Sequence, residues 1–177
     1  VTEGFGMDIG NSHHALRLET AVDLVNALTG ENRGGMPAYL SAEEVERLAG
    51  LAVDLRAVIV ALISDDHDGA AGVLNRLLAD SDARPRLRRE GDEAWHLTFH
   101  APGADFVRKW TAGLAVAFAA VLGDDSAQRL GCCEAPRCDR VFIDTSQGRT
   151  KRFCGVACQN RVKAAAYRRR GKVVNVP

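Results

Sequence analysis

Five cysteines are the residues best placed to do chemistry, and all lie between positions 132 and 158 of the 177-residue chain. Cys133 and Cys138 are separated by four residues, Cys154 and Cys158 by three, with fifteen between the two pairs. Two close pairs flanking a hairpin-sized insert are the layout of a tetrathiolate zinc site, each pair forming a knuckle. The ion would supply the core that so short a segment lacks. Four thiolates fill a tetrahedral shell and leave no position for an activated water, so one Zn2+ here would be structural. Cys132 or Cys133 could open the first knuckle. Cys133 is the better first ligand, because Glu134-Ala135-Pro136-Arg137 then fills the knuckle and Pro136 stiffens its turn. Cys132 is left as a spare thiol. The competing readings are buried thiols or a disulfide. A disulfide suits an oxidising compartment, and five cysteines cannot all pair.

The same stretch carries the densest basic run, with Lys151, Arg152, Arg161, Lys163, Arg168, Arg169 and Arg170 and no acid after Asp144. A helix opening at Cys154 and Cys158 puts both sulfurs on one face, and its N-terminal dipole offsets part of their charge. Cys158, Val162, Ala165 and Ala166 then face the metal. Lys163, Tyr167 and Arg170 form one outward stripe, Arg161 and Arg168 another. Val141–Ile143 and Lys151–Phe153 are expected strands around a Gln147-Gly148 turn. Knuckle, hairpin and helix in this order make a treble clef. A basic helix standing on a knuckle suits the DNA major groove or its phosphates, with Lys151 and Arg152 adding phosphate contacts. The alternative is a solvated helix end whose cations favour the C-terminal dipole. Asn160 and Arg161 also have two readings. They could bond adenine and guanine edges, or Arg161 could clamp Asp144 while Asn160 bonds the knuckle backbone.

The elements upstream form a separate body. Leu18, Ala21, Val22, Val25 and Leu28 recur at helical spacing up to Gly30. Gly4 to Ser12 reads as a loop or short strand, and Glu31 to Pro37 as a loop. Ser41 and Glu44 form a capping box opening a helix that runs to about Ile63. A shorter helix covers roughly Gly69 to Ala79 and is blocked by Pro85. Arg86–Glu90 and Glu93–His100 flank Gly91-Asp92 as a hairpin. Alternation predicts Trp95, Leu97 and Phe99 on its buried face and His96, Thr98 and His100 on the polar one. Phe106 to Leu122 is a largely apolar central helix. The fold class is therefore α+β: helices packed on a small antiparallel sheet (residues 1–128), then a treble-clef-like zinc finger (129–177).

Composition narrows the function classes. Hydrophobic content of 46% and charged content of 26% describe a soluble globular protein. No run reaches the roughly 20 apolar residues needed to cross a bilayer. The first residues lack the order of a secretion signal, so the expected location is cytoplasmic and nucleoid-associated. The overall charge of zero hides an asymmetry: residues 1–130 carry 20 acidic and 12 basic side chains, residues 131–177 carry 3 and 11. The basic end is suited to a polyanion, unless the two ends simply attract each other. His96 and His100 share a strand face and His13-His14 lie near the start, but no carboxylate or nucleophile is fixed beside them by spacing. Asp65-Asp66-His67-Asp68 reads as a polar loop. No glycine-rich phosphate loop occurs. No enzyme is expected.

At these residues the chain resembles the CGNR-type zinc-finger proteins of bacteria. The family pattern appears as Cys133…Cys138, Phe142-Ile143-Asp144-Thr145-Ser146, Lys151-Arg152-Phe153-Cys154 and Cys158-Gln159-Asn160-Arg161. Two departures are visible. Gln159 replaces the motif glycine, and the last cysteine pair has three intervening residues where four are common. The upstream region is similar to the ABATE domain usually joined to this finger, through Ala21-Val22-Asp23-Leu24-Val25-Asn26, Trp95-His96-Leu97 and the long apolar helix. The resemblance implies a stress-induced transcription regulator whose N-terminal domain senses a small-molecule or protein effector.

The expected function is DNA binding by the basic helix, with a homodimer or partner supplying the rest of the affinity. About four to six neutralised phosphates would give a log–log salt slope of about −4 to −5. The competing hypotheses are an RNA-binding or protein–protein adaptor, and a metal enzyme built on His96 and His100.

Overall fold

The structure, a computed structural model, describes residues 12–31, 40–89, 91–92, 94–123 and 125–173. Of the segments expected as loops, Gly4–Ser12 and Glu31–Pro37, all but Ser12, which opens α1, and Glu31 lie outside them. The chain has the expected α+β make-up, helices with two small antiparallel sheets. Helix α1 spans Ser12–Leu28, α2 Ala42–Arg47, α3 Ala49–Ile63 and α4 His67–Asp80. Strands β1 (Arg86–Arg88) and β2 (His96–Thr98) precede α5 (Phe106–Leu122). A 3-10 turn at Asp125–Arg129 leads to β3 (Leu130–Cys132), β4 (Val141–Ile143) and α6 (Val156–Val173).

Local sequence sets most helix ends. Ser41 accepts the Glu44 N–H at 3.2 Å while the Glu44 carboxylate accepts the Ser41 N–H at 2.8 Å, the reciprocal capping box. Asp66 accepts the Gly69 N–H at 2.9 Å and Asp105 the Arg108 N–H at 2.9 Å, so both are N-caps. The Asp66 cap starts α4 two residues before Gly69. The helix expected from Ser41 to Ile63 is interrupted at Leu48, which ends α2 and opens α3. There the Leu48 N–H turns to Val45 at 3.1 Å and its side chain is fully buried. Burial of Leu48 anchors the bend.

The core is built mainly between helices. α1 packs on α3 and α5, and α4 packs on α3 and α5. Leu24, Val25, Leu55, Ile59, Leu74, Leu114 and Phe118 fill the space between them. The sheet that the helices cover is β3–β4: β4 lies against α1 and β3 against α3, placing Leu130 and Val141 in the same apolar cluster. Burying side chains of this size contributes about 1.5–3 kcal/mol each, so the strands are part of the core.

Two strand expectations are corrected. Register pairs Leu87 with Leu97, which puts both on one hairpin face with Trp95. That face points outward, with Leu87 71%, Trp95 64% and Leu97 47% exposed, while Thr98 is buried. Of the expected buried face Trp95 and Leu97 are exposed and Phe99 is half-buried, whereas Thr98 of the expected polar face is the buried residue. The partner of β4 is also different. It pairs with β3, Leu130 opposite Ile143 and Cys132 opposite Val141, and Lys151–Phe153 forms no strand. The Asp144 carboxylate takes the Ser146 and Lys151 N–H groups at 2.8 Å each and folds 144–151 into a loop instead. Gly131 lies beneath the Phe142 ring, which a Cβ there would meet at 2.6 Å.

Candidate metal centre and basic helix

Cys133, Cys138, Cys154 and Cys158 converge, with all four sulfurs within 4.8 Å of one another. Cys133 leaves β3 and its N–H bonds the Arg140 carbonyl at 2.9 Å, closing the first knuckle across its base. Within that knuckle Ala135 is buried, its carbonyl accepts the Cys138 N–H at 3.1 Å, and Arg137 adopts φ 58° to complete the turn. Glu134 donates its N–H to Arg152 at 3.0 Å, so the segment before Cys154 is tied to the first knuckle by its backbone. Cys154 precedes α6 by two residues and Cys158 lies in its first turn. The second pair therefore straddles the helix start rather than lying wholly on the helix.

The sulfur spacing fits one zinc ion. A tetrahedron with metal–sulfur bonds of about 2.3 Å has sulfur–sulfur edges of about 3.8 Å. Cys138–Cys154, Cys154–Cys158 and Cys138–Cys158 are 3.8, 3.6 and 3.7 Å apart. A disulfide needs about 2.05 Å, and all five cysteines are unbonded thiols. Charge supports the same conclusion. Burial opposes ionisation of Cys133, but N–H groups of Cys154 and Ala135 hold its thiol below the ordinary value. Burial raises Cys154 and Cys158, and the neighbouring Cys133 thiolate adds to this. Four thiolates cannot coexist here without a cation. Cys132, the spare thiol, is exposed on β3 and is not part of the cluster.

The immediate surroundings of the sulfurs are donor-rich. The Cys154 N–H points at the Cys133 sulfur at 3.4 Å, and Arg161 Nη2 at the Cys158 sulfur at 3.4 Å. Arg161 thus serves the metal centre and not Asp144, whose carboxylate is occupied by Ser146 and Lys151. Gln159, in place of the motif glycine, is ordinary helix and donates to Gly155 at 3.2 Å, so no glycine is required there.

The nine nominated contact residues divide into two groups. Lys151 Nζ bonds the Ile143 carbonyl at 3.0 Å and lies 5.0 Å from the Phe142 ring centroid. Arg152 Nε bonds Glu134 at 2.7 Å and its guanidinium stacks on Phe153. With Arg161, these three cations are engaged inside the finger. Asn160, Lys163, Tyr167, Arg168, Arg169 and Arg170 are exposed on α6 and meet no side-chain partner among the described residues. The His96 and His100 rings lie within hydrogen-bond distance of the nearby carbonyls of Ala94 and Ala101, and Asp65 pairs with His67 at 3.3 Å. Among the described residues the cysteines are the single metal-competent group. The side chains of His13 and His14 lie outside what is described.

Three residues that carry the finger were not singled out for this role from sequence. Asn26 on α1, 4% exposed, donates to the Val141 carbonyl at 2.9 Å and accepts the Val141 N–H at 3.0 Å. Arg56 on α3 bonds the Asp139 carbonyl at 2.9 Å and its carboxylate at 3.2 Å, while Glu31 donates its N–H to that carboxylate at 2.8 Å. A buried amide within an apolar helical run was the available signal for Asn26. Nothing local marks Arg56 or Asp139.

Comparison with known proteins agrees with this geometry. Residues 129–171 match the family model of the CGNR zinc finger. A search of curated proteins finds no match to the chain. No helix among the described residues is long and apolar enough to cross a membrane. Residues 17–125, more than half of the chain, match the family model ABATE, described as "Putative stress-induced transcription regulator". The chain therefore belongs to the ABATE family and carries a CGNR zinc finger that holds one structural zinc ion through Cys133, Cys138, Cys154 and Cys158.

Proposed function

We propose that the protein is a DNA-binding regulator whose contact element is the outer face of α6. The observation that carries this reading is the row of Lys163, Tyr167, Arg168, Arg169 and Arg170, exposed and without a side-chain partner among the described residues, on a helix anchored to the metal centre. Anchored at the metal centre, the row presents four cations to a phosphate backbone with no acid on the same element. Asn160 is exposed beside it and available to a base edge. Arg161, Lys151 and Arg152 support the finger and contribute to the field rather than to the grip. A single helix of this length buries little DNA, so tight binding takes two copies on adjacent half-sites. The N-terminal helical body senses the effector. Replacing Arg168, Arg169 and Arg170 with Ala tests the reading by fluorescence anisotropy on a labelled duplex. Duplex binding is expected to be lost while zinc content and helicity persist. Unchanged binding would reject it in favour of an adaptor that uses another surface.

A further inference from the structure

Helix α3 is buried along one side and bare along the other. Leu51, Leu55, Val58, Ile59 and Leu62 face the core. The opposite side shows Gly50, Val53, Ala57 and Val60 to solvent, with Val53 61% and Val60 42% exposed. Their spacing of three, four and three residues is the a/d repeat of a two-helix seam, and it alternates small with large side chains. No charge falls on it. The charges that flank it are engaged within the chain, Asp54 with Arg76 at 2.7 Å and Arg56 with Asp139 at 3.2 Å. A glycine weakens a helix relative to alanine, and at Gly50 the fold gains nothing in return. The backbone there is ordinary helix, and an added Cβ would meet no atom within 4 Å. Gly69 and Gly131 differ, since a Cβ at either would run into Asp66 or the Phe142 ring. The space kept open at Gly50 lies outside the chain.

We propose that α3 pairs antiparallel with α3 of a second copy, about a two-fold axis at the level of Leu55. Val60 then settles on the partner's Gly50 and Val53 on the partner's Ala57, and the reverse. A two-fold contact uses one surface twice, and this surface is its own complement in size. Parallel pairing would instead set glycine against glycine and valine against valine, leaving gaps beside crowding. The other exposed apolar face, Leu87, Trp95 and Leu97 on the hairpin, suits a second copy less well. Arg89 lies over the Trp95 ring at 5.3 Å, so two such faces would bring like charges together. Three helical turns bury well under the about 800 Å2 per partner of a standard interface, so the pair is weak and concentration-dependent. Two copies side by side on one duplex meet at high effective concentration, where a weak seam is enough. The inference supplies the second copy that the DNA-binding reading calls for and rests on that reading only for its purpose; its test is read without DNA.

Sedimentation velocity of the full zinc-loaded chain across about 1–500 μM should show a reversible monomer–dimer equilibrium with a Kd on the order of 10–100 μM. Gly50→Leu fills the open space by sterics alone and should raise that Kd about tenfold or more, as should Val53→Asp. Helicity and zinc content should stay unchanged in both variants, because both positions are exposed. Leu97→Asp, on the hairpin face, should leave the equilibrium as it is. A chain that stays monomeric at the highest concentration would overturn the proposal, even one that binds DNA. So would a dimer indifferent to Gly50→Leu and Val53→Asp, or one dissolved by Leu97→Asp instead. A dimer that responds as expected but binds no duplex would leave this proposal standing and reject the DNA-binding reading.

Discussion

Asn26 and Val141, 115 residues apart, bond to each other as two neighbouring strands would. The Asn26 side-chain amide gives a donor to the Val141 carbonyl at 2.9 Å and takes its N–H at 3.0 Å. One helix side chain thereby serves as the missing third strand beside β4. A ladder edge that would otherwise be buried and unpaired is satisfied by the other half of the molecule. Asn26→Ala removes both partners at once and leaves the Val141 groups without replacement. We expect a loss of about 2–3 kcal/mol in urea unfolding, and Asn26→Asp, which lacks the donor, should recover only part of it.

The Arg56–Asp139 pair secures the other side of the same junction. Gly30 lies against the Asp139 carboxylate at φ 77°, a conformation that L side chains rarely adopt. Gly30→Ala should destabilise by about 1–3 kcal/mol through strain and displacement of that carboxylate. Arg56→Ala should cost about 1 kcal/mol, since the pair is only partly buried. If the two act through one contact, the double variant will lose less than the sum in a double-mutant cycle.

Zinc analysis should return one ion per chain. Cys158→Ser or Cys138→Ser abolishes retention after a chelator wash, whereas Cys132→Ser keeps the ion. Arg161→Ala removes the donor to the Cys158 sulfur and should weaken zinc affinity about 10–100-fold, as loss of an outer partner does. Competition with a chromogenic chelator measures it. Retention equal to wild type in Arg161→Ala would mean that the contact at 3.4 Å has no energetic weight.

Salt dependence separates the engaged cations from the exposed ones. With Lys163, Arg168, Arg169 and Arg170 as the phosphate contacts, the slope of log affinity against log salt is about −3 to −4. That is shallower than the slope of about −4 to −5 expected when Lys151, Arg152 and Arg161 are also counted as possible contacts. Lys163→Ala should reduce the slope by about one, and Arg152→Ala, whose partner is Glu134, should leave it nearly unchanged.

Asp144 gives a pH signature. The Ser146 hydroxyl and the N–H groups of Lys151 and Ser146 hold its carboxyl below the usual value. Its folded pKa is depressed, so its stabilisation is fully present above the unfolded value of about 3.9 and fades as pH falls through the lower folded one. Carboxyl NMR should place the Asp144 titration below those of the solvated aspartates. Asp144→Asn should be less stable than wild type at neutral pH, and an equal stability there would exclude the loop role.

Chemistry set by neighbours in sequence was legible, and pairings set by distant neighbours were not. The four cysteine ligands follow from spacing because each knuckle is a local turn. The Ser41–Glu44 capping box and helix α5 follow from short-range patterns in the same way. Strand β4 was found, but its partner was mistaken, since both candidates lie near it and only the Asp144 loop excludes the later one. Trp95, Leu97 and Phe99 alternate as a buried face should, yet Trp95 and Leu97 are exposed and it is Thr98 between them that is buried. Lys151 and Arg152 looked like free cations, and Arg161 like a base reader or a clamp on Asp144, because their acceptors, a carbonyl, Glu134 and a sulfur, are assigned only by the folded finger.

Leu130 and Val141 fill space among α1 and α3 although they belong to the finger. A fragment cut between the two family matches would therefore leave a greasy scar on the helical piece and expose the seats of both residues. Such a fragment is expected to clump or be degraded on expression, and a useful shorter version must carry the chain at least through Ile143.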